Sequence, residues 1–144
     1  AQGLEPELPE EQPAQRSAEA LRDWYDANVE RAVSVERLVY HPDLNYAGKL
    51  DLYAELKSGG HFVFDYKGIT TLGYPPRAAH VGQGAAYCTA LALEGVPVDG
   101  FILMEVERKS GKLRVTQYSD IETEFEAFKA ALKLVRYQPQ GIKL

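Results

Sequence analysis

The sequence predicts an α/β fold in which one mixed central sheet is flanked by helices. Three segments space their apolar residues as helices do, and the segments between them alternate apolar and polar residues with the period of two that is typical of strands. The apolar run at residues 101–104 is typical of a central strand covered on both faces. The predicted order is helix, three strands, helix, two strands, helix.

The first predicted helix covers about residues 17–33 and follows an acidic, proline-rich arm. Residues 1–16 contain few apolar side chains, and their prolines and glutamates predict a flexible segment. Behind Ser17 the apolar residues recur at helical spacing, at Leu21, Trp24, Tyr25 and Val29. We therefore expect an arm of residues 1–16 and a single domain of residues 17–144.

The five strands are predicted from alternation and from the turns between them. They cover about residues 34–41, 46–56, 61–68, 98–108 and 112–119. A proline-bearing loop leads from the third strand into a helix of about residues 77–94, which Gly95 ends. Asp120 is expected to cap a last helix that extends to about Arg136.

Composition excludes several kinds of protein. The single cysteine, Cys88, excludes an internal disulfide and any four-cysteine zinc or iron–sulfur site within these 144 residues. No apolar run approaches the length of a membrane span, so we expect an intracellular protein with no membrane partner. The four glutamates of residues 1–13 carry most of the formal net charge of -5, so charge alone does not argue against a nucleic-acid partner.

The hairpin between the second and third strands brings two acids together. A three-residue loop of Lys57, Ser58 and Gly59 is a favoured turn, and it pairs Leu56 with Gly60. Counting back along both strands places Asp51 opposite Asp65. Alternation places Lys67 on the same face as these acids, and it places a core-facing set on the other face, namely Leu50, Leu52, Phe62, Phe64 and Tyr66.

Facing acids on neighbouring strands destabilise a sheet unless a cation lies between them. Lys67 could supply that charge by itself, in which case Asp51, Asp65 and Lys67 form a solvated surface trio. The alternative is a site that binds a metal ion.

On the last hairpin, Lys109, Lys112 and Arg114 are interpreted as solvated charges.

The order of these residues resembles the PD-(D/E)XK nuclease superfamily, and within it the RecB-type and phage-type exonuclease branch. The resemblance covers about residues 33–93, and within the branch it is closest to the mitochondrial genome maintenance exonucleases and their phage relatives. It rests on an acidic residue fifteen positions before an aspartate, a glycine, an Asp-x-Lys strand and a Gln-x-x-x-Tyr helix, here Glu36, Gly48, Asp51, Asp65, Tyr66, Lys67, Gln83 and Tyr87.

The resemblance implies a restriction-endonuclease-like core that binds Mg²⁺ or Mn²⁺. The implied metal ligands are Asp51, Asp65, Glu36 and the backbone carbonyl of Tyr66. Lys67 would orient the attacking water or stabilise charge on the phosphate. Gln83 and Tyr87 would lie near the DNA backbone, although two polar residues four apart on a helix are as often plain helix surface.

The function implied is a metal-dependent DNA exonuclease of replication, recombination or repair, of viral or phage type, acting in the cytoplasm of a prokaryotic host. DNA is the expected partner, together with replication or recombination proteins. A structure-specific or site-specific endonuclease on the same core is an alternative, and so is a DNA-binding module without catalysis. The sequence leaves open the choice between DNA and RNA, the strand preference and the oligomeric state.

Overall fold

A computed structural model describes residues 11–144 of the protein, and it contains three helices and five strands in the predicted order. The helices are α1 (Glu11–Asn28), α2 (Ala78–Ala92) and α3 (Ile121–Arg136). The strands are β1 (Val29–His41), β2 (Tyr46–Leu56), β3 (His61–Ile69), β4 (Gly100–Glu107) and β5 (Leu113–Tyr118). Within this part of the chain, no helix is both long enough and apolar enough to span a bilayer.

The five strands form one mixed sheet in the order β1-β2-β3-β4-β5. All neighbours are antiparallel except β3 and β4, which are parallel because α2 connects them as a crossover. The predicted class, a mixed central sheet flanked by helices, is confirmed. Strand β3 therefore lies in the middle of the sheet and has neighbours on both sides.

Helices cover both faces of the sheet and divide the core into two clusters. On one face α1 packs through Leu21, Trp24 and Tyr25 onto a cluster of strand residues that includes Leu52, Ala54, Phe62, Phe64, Ile102 and Met104. On the other face α2 packs onto a cluster that includes Leu50, Tyr53, Val63, Phe101 and Leu103. Helix α3 adds Ile121 and Phe125 to this second cluster.

The boundary between α1 and β1 differs from the prediction. The helix covers Glu11–Asn28, not residues 17–33, and β1 begins at Val29, not Ser34. Residues 29–33 pair with β2, where Val29 lies opposite Leu56. In this position their backbone groups form hydrogen bonds with β2, whereas the end of a helix would leave such groups without partners. The valines of this segment also favour a strand. Residues 1–10, most of the predicted arm, lie outside the described residues.

The hairpin between β2 and β3 forms as predicted. The Leu56 N–H donates to the Gly60 carbonyl over 3.0 Å, and the Gly59 N–H donates to the Leu56 carbonyl over 2.9 Å. Gly59 has a φ of 103°, a left-handed conformation that glycine adopts without a Cβ penalty. This loop fixes the register in which Asp51 and Asp65 approach each other.

Helix α3 is fixed at both ends. At its start the Thr123 N–H donates to the Asp120 side chain over 3.1 Å, as the predicted cap requires. At its end Arg136 donates to the carbonyls of Leu44 and Asn45, over 2.7 Å and 2.8 Å. The C-terminal helix thereby holds the turn between β1 and β2.

Close packing of α2 on the sheet predicts opposite effects for two glycines of the same helix. A Cβ at Gly84 would overlap the buried ring of Phe101, so Gly84→Ala should lower the free energy of unfolding by about 1–3 kcal/mol. A Cβ at Gly82 would lie 3.6 Å from Phe128, an ordinary contact. Gly82→Ala should be neutral, or stabilising by up to about 1 kcal/mol, because alanine favours helix.

Urea unfolding of the two variants and the wild type measures both values. Equal destabilisation by the two substitutions would contradict the tight contact between Gly84 and the Phe101 ring.

Candidate active site

Two aspartates lie where the regular ladder between β2 and β3 ends. The ladder extends from Glu55 and His61 to Leu52 and Phe64. The next pair in this register is Asp51 and Asp65, which we call the acid pair. At this point the Tyr66 N–H donates to Asp51 Oδ2 over 2.8 Å. At the end of the ladder, a side-chain carboxylate therefore accepts the hydrogen bond of a backbone N–H group.

The alternation of β2 shifts by one residue at the acid pair. Leu50 belongs to the α2-side cluster, whereas Leu52 belongs to the α1-side cluster. Residues two apart on a regular strand share a face, so the strand changes face at this point. The prediction that Leu50 and Leu52 lie on the same face is wrong. The α2 side, which carries the acid pair, also carries the buried side chains of Tyr53 and Val63.

Glu36 lies opposite Asp51 in the register of β1 and β2. Its neighbours in sequence, Val35 and Arg37, pair with Leu52 and Leu50. Glu36 has a φ of 51°, a left-handed conformation that is rare for such a residue, and its side chain is exposed. Residues 11–144 contain no group of three histidine, cysteine or acidic side chains placed to hold a metal ion. The structure therefore does not bring Glu36 into one ligand group with the acid pair.

Asp65 is the more buried member of the acid pair. It is 3% exposed, and burial raises its pKa to about 6, with Asp51 adding to the shift and Lys67 opposing it. Its Oδ2 atom lies 3.4 Å from Lys67 Nζ, but among the described residues it accepts no hydrogen bond. Asp65 is thus a buried carboxylate with unused capacity to accept.

Lys67 is held beside Asp65 by two side chains of α2. Lys67 Nζ donates to Gln83 Oε1 over 2.5 Å, and Gln83 Nε2 donates to the Tyr87 hydroxyl over 2.8 Å. Burial raises the pKa of Tyr87, and the negative charges of Asp65 and Asp51 raise it further. The spacing of four residues places Gln83 and Tyr87 on one face of the helix, and that face points to the site.

Gly48 has a steric reason to be glycine. A Cβ at this position would lie 2.5 Å from Cε1 of Tyr87. The absence of a side chain lets the Tyr87 ring lie directly against β2. Hydrogen bonds and close contacts therefore connect six of the seven predicted site residues, namely Asp51, Asp65, Tyr66, Lys67, Gln83 and Tyr87. The role of the Tyr66 carbonyl stays a prediction.

A second charged cluster beside Lys67 was missed by the sequence analysis. Glu105 is the parallel partner of Lys67 on β4 and is only 1% exposed. Arg114 donates to Glu105 Oε1 from Nε over 2.8 Å and lies 2.7 Å from it through Nη2. Arg114 also donates to the Gly73 carbonyl over 2.5 Å. The interpretation of Arg114 as a solvated charge is therefore wrong.

This cluster holds the loop that leads into α2. Arg114 fixes Gly73, and Glu107 accepts from the Leu72 N–H over 3.0 Å. His80, in the first turn of α2, has a lowered pKa because of burial and the positive charge of Lys67. A signal for the cluster was present in the sequence, since Glu105 directly follows the apolar run at residues 101–104 and Arg114 lies across the next turn.

The acid pair has the donor chemistry that hard divalent cations prefer. Carboxylate and carbonyl oxygens are the usual protein ligands of Mg²⁺ and Mn²⁺. Asp65 Oδ2 is buried without a hydrogen bond, and two acids adjoin each other. These residues fit a metal ion, with Lys67 as the cation that partly balances them in its absence.

Another groove on the sheet is not lined by the acid pair. It has a volume of about 740 Å³ and lies over β1 and β2, between Leu38, Tyr40, Lys49 and Glu94. It contains no facing acids and no buried charged group. We therefore assign the chemistry to the acid pair and not to this groove.

Comparisons with known proteins show the fold only. No family model matches the chain, and no curated protein matches it. Among solved structures, it is similar to SSO0001, with a TM-score of 0.54 and 15% sequence identity over 88% of this chain. It is also similar to a protein described as "Putative exonuclease" from Eubacterium rectale, with a TM-score of 0.57 and 9% identity over 85% of this chain. The chain spans 60% and 50% of the lengths of these two proteins.

The raised pKa of Asp65 predicts how the metal-free protein responds to pH. Its pKa is 3.8 in a model peptide and about 6 in the fold, so the folded state binds the proton more tightly than the unfolded chain does. The free energy of unfolding should therefore fall as pH rises from about 4 to 6. Asp65→Asn should exceed the wild type by about 2–3 kcal/mol at pH 7.5 in EDTA, and this difference should vanish below pH 4.

Urea unfolding at several pH values tests this expectation. Asp43→Asn, in the exposed turn between β1 and β2, is the control for removing one acid from the surface. A stability difference between Asp65→Asn and the wild type that does not change with pH would be inconsistent with an ionised, strained Asp65.

Proposed function

We propose that the chain is a divalent-metal-dependent nuclease that hydrolyses phosphodiester bonds of DNA. The observation that carries this proposal is the acid pair, with Asp65 buried beside Asp51 and Lys67 held on the same side of the sheet. Holding these acids together costs the metal-free fold stability, and perturbed carboxylates of this kind are characteristic of functional sites. A cation that binds between them offsets this cost.

Asp51 and Asp65 would hold the metal ion, Mg²⁺ or Mn²⁺, and the Tyr66 carbonyl is the third proposed protein ligand. When bound, such an ion lowers the pKa of a water molecule and offsets negative charge on the phosphate. Glu36, the remaining ligand that the resemblance implies, lies outside this group. Mg²⁺ commonly retains several water ligands, so two carboxylates and a carbonyl suffice to hold it.

Lys67 has the placement that phosphodiester hydrolysis requires of a positive side chain. Its hydrogen bond to Gln83 fixes the ammonium group 3.4 Å from Asp65, where it would orient a water molecule or stabilise charge on the phosphate. Gln83 and Tyr87 continue the polar surface along α2. We assign these two side chains to contacts with the DNA backbone.

We further propose that the protein is an exonuclease of viral or phage type that acts in replication, recombination or repair. It would act in the cytoplasm of a host cell, with replication or recombination proteins as partners. The family resemblance of residues 33–93 supports this direction. The likeness of fold to the Eubacterium rectale protein supports it too.

The same site supports two alternatives. An endonuclease would use the same residues, and only a requirement for a DNA end separates it from an exonuclease. The second alternative is a DNA-binding module without catalysis, and its supporting observation is that Glu36 does not join Asp51 and Asp65 in one group of three ligands among the described residues.

Cleavage of end-labelled single-stranded and double-stranded DNA tests the proposal. We expect cleavage with Mg²⁺ or Mn²⁺ and none with EDTA. Asp51→Asn and Asp65→Asn should each lower the rate by about 100-fold or more, because each removes a charged ligand of the metal ion. Lys67→Ala should have a similar effect, because it removes the positive charge beside the reacting phosphate.

Asp43→Asn, which leaves the site intact, should cleave at the wild-type rate. A covalently closed circle should resist an exonuclease, and its cleavage would favour the endonuclease. Activity that persists in EDTA, or wild-type rates in all three site variants, would refute the proposed site.

Metal binding has a readout that does not depend on activity. An ion that binds only the folded state stabilises it by mass action, by about 2.7 kcal/mol at one hundred times its dissociation constant. Millimolar Mg²⁺ or Mn²⁺ should therefore raise the melting temperature of the wild type. Asp51→Asn should lose most of this increase, because the ligand charge is removed while the shape is kept.

Ca²⁺ should raise the melting temperature without supporting cleavage, since it tolerates looser geometry. If Asp51→Asn and the wild type gain equally from Mg²⁺, the ion binds elsewhere and the DNA-binding module becomes the better description.

A further inference from the structure

The turn between β4 and β5 is a basic surface at one end of the sheet. It carries three exposed basic side chains, namely Arg108, Lys109 and Lys112. None of them forms an ion pair with residues 13–144. The acid that precedes the turn, Glu107, accepts hydrogen bonds from the Leu72 N–H and the Ser110 hydroxyl, over 3.0 Å and 2.7 Å. Residues 108–112, which we call the basic turn, therefore carry an excess of positive charge.

The basic turn lies just beyond Lys67. The parallel register of β3 and β4 ends where Ile69 lies beside Glu107. The Arg108 N–H donates to the Ile69 carbonyl over 2.9 Å, and Arg108 Nη2 donates to the Gly68 carbonyl over 3.4 Å. Ile69 is two residues, or about 7 Å of strand, from Lys67. A nucleic acid with one phosphate at Lys67 therefore has further phosphates within reach of the basic turn.

The first turn of α1 packs against the basic turn. Gly111 is buried, and a Cβ at this position would overlap the carbonyl oxygen of Pro13. The Ser17 hydroxyl connects the two segments, since it lies 2.8 Å from the Pro13 carbonyl oxygen and 3.4 Å from that of Gly111. The chain that precedes Pro13 therefore joins the described residues beside the basic turn.

The segment that precedes α1 has the opposite charge. Residues 1–10 lie outside the described residues, and their sequence contains Glu5, Glu7 and Glu10 but no basic side chain. We call residues 1–10 the acidic segment. An extended chain spans at most about 3.6 Å per residue, so even Glu5 lies within about 29 Å of Pro13. All three carboxylates can therefore reach the basic turn of the same chain.

We propose that the acidic segment docks on the basic turn of its own chain and competes there with the phosphates of a nucleic acid. The docking does not depend on the proposed function, whereas the competition rests on it. A single exposed ion pair contributes little, but the tether makes each pairing intramolecular and gives it a high effective concentration. A nucleic acid must displace the acidic segment before it contacts the basic turn, so the segment lowers its affinity.

Cross-linking of carboxylates directly to lysines by a carbodiimide tests the docking. In about 0.1 M NaCl, mass spectrometry of the monomer should find glutamates of the acidic segment joined to Lys109 or Lys112, and about 1 M NaCl should suppress these links by screening. Lys57 is the control, because it is exposed in the hairpin at the opposite end of the sheet. Equal linkage to Lys57, links only between two chains, or no link to Lys109 or Lys112 would overturn the docking.

Binding of a fluorescein-labelled DNA duplex, measured by anisotropy in Ca²⁺, tests the competition. The arm variant removes three charges in one chain, by Glu5→Gln, Glu7→Gln and Glu10→Gln. It should bind DNA about threefold to tenfold more tightly than the wild type in about 0.1 M NaCl. A control chain loses three exposed acids elsewhere, by Glu30→Gln, Asp43→Asn and Glu126→Gln. It should bind within about twofold of the wild type, because screening weakens distant charges.

The arm substitutions should have no further effect in a chain that also carries Lys109→Gln and Lys112→Gln, because the surface for which the segment competes is then gone. Melting temperatures check that all variants fold. If the arm variant tightens binding equally in both backgrounds, or if the control chain tightens it as much, the competition is overturned.

Cleavage of labelled DNA in Mg²⁺ separates these outcomes from failure of the nuclease. If the wild type cleaves DNA and the arm variant binds DNA no more tightly, the competition is overturned and the nuclease stands. If the wild type neither binds nor cleaves DNA but the cross-links to the basic turn form, the docking stands. In that case both the competition and the nuclease are refuted.

Discussion

The hydrogen bond from the Tyr66 backbone to the Asp51 carboxylate marks the point at which the regular ladder between β2 and β3 ends. Up to Leu52 and Phe64 the strands pair through their backbones, and beyond this pair a side chain takes over the role of acceptor. A charged acceptor makes a stronger hydrogen bond than a neutral carbonyl does. This bond keeps one acid close to Asp65, which is buried at a cost in free energy.

A chain of polar side chains around the acid pair offsets part of that cost. Lys67 lies 3.4 Å from Asp65, Gln83 fixes Lys67, and Tyr87 in turn is hydrogen-bonded to Gln83. Gly48 leaves the space that the Tyr87 ring occupies. One crossover helix therefore positions the ammonium group, while β2 and β3 position the acids. A shift of α2 relative to the sheet would therefore change the distance between the Lys67 ammonium group and the two carboxylates.

The charged groups of β4 and β5 extend this arrangement to the loop before α2. Glu105 is buried beside Lys67 and is neutralised by Arg114, which also holds Gly73. A buried acid without such a partner would destabilise the fold strongly. The opposite face of the same strand end carries the Tyr66 ring, so the middle of the sheet supplies both charged and aromatic surfaces within one residue of each other.

Local patterns in the sequence determined the order of elements, the mixed sheet and the Lys57-Ser58-Gly59 loop. They also determined that Asp65 and Lys67 lie on the same face of β3. The reason is that the periods of two and 3.6 residues and the conformations of glycine are properties of short segments. It also selected Gln83 and Tyr87 through a family resemblance. Tertiary structure alone decided where β1 begins, because residues 29–33 are strand only beside β2. It also decided the change of face at Asp51, the left-handed Glu36 opposite it and the burial of Glu105 with Arg114. These features depend on pairing between distant segments, which no local period of the chain encodes.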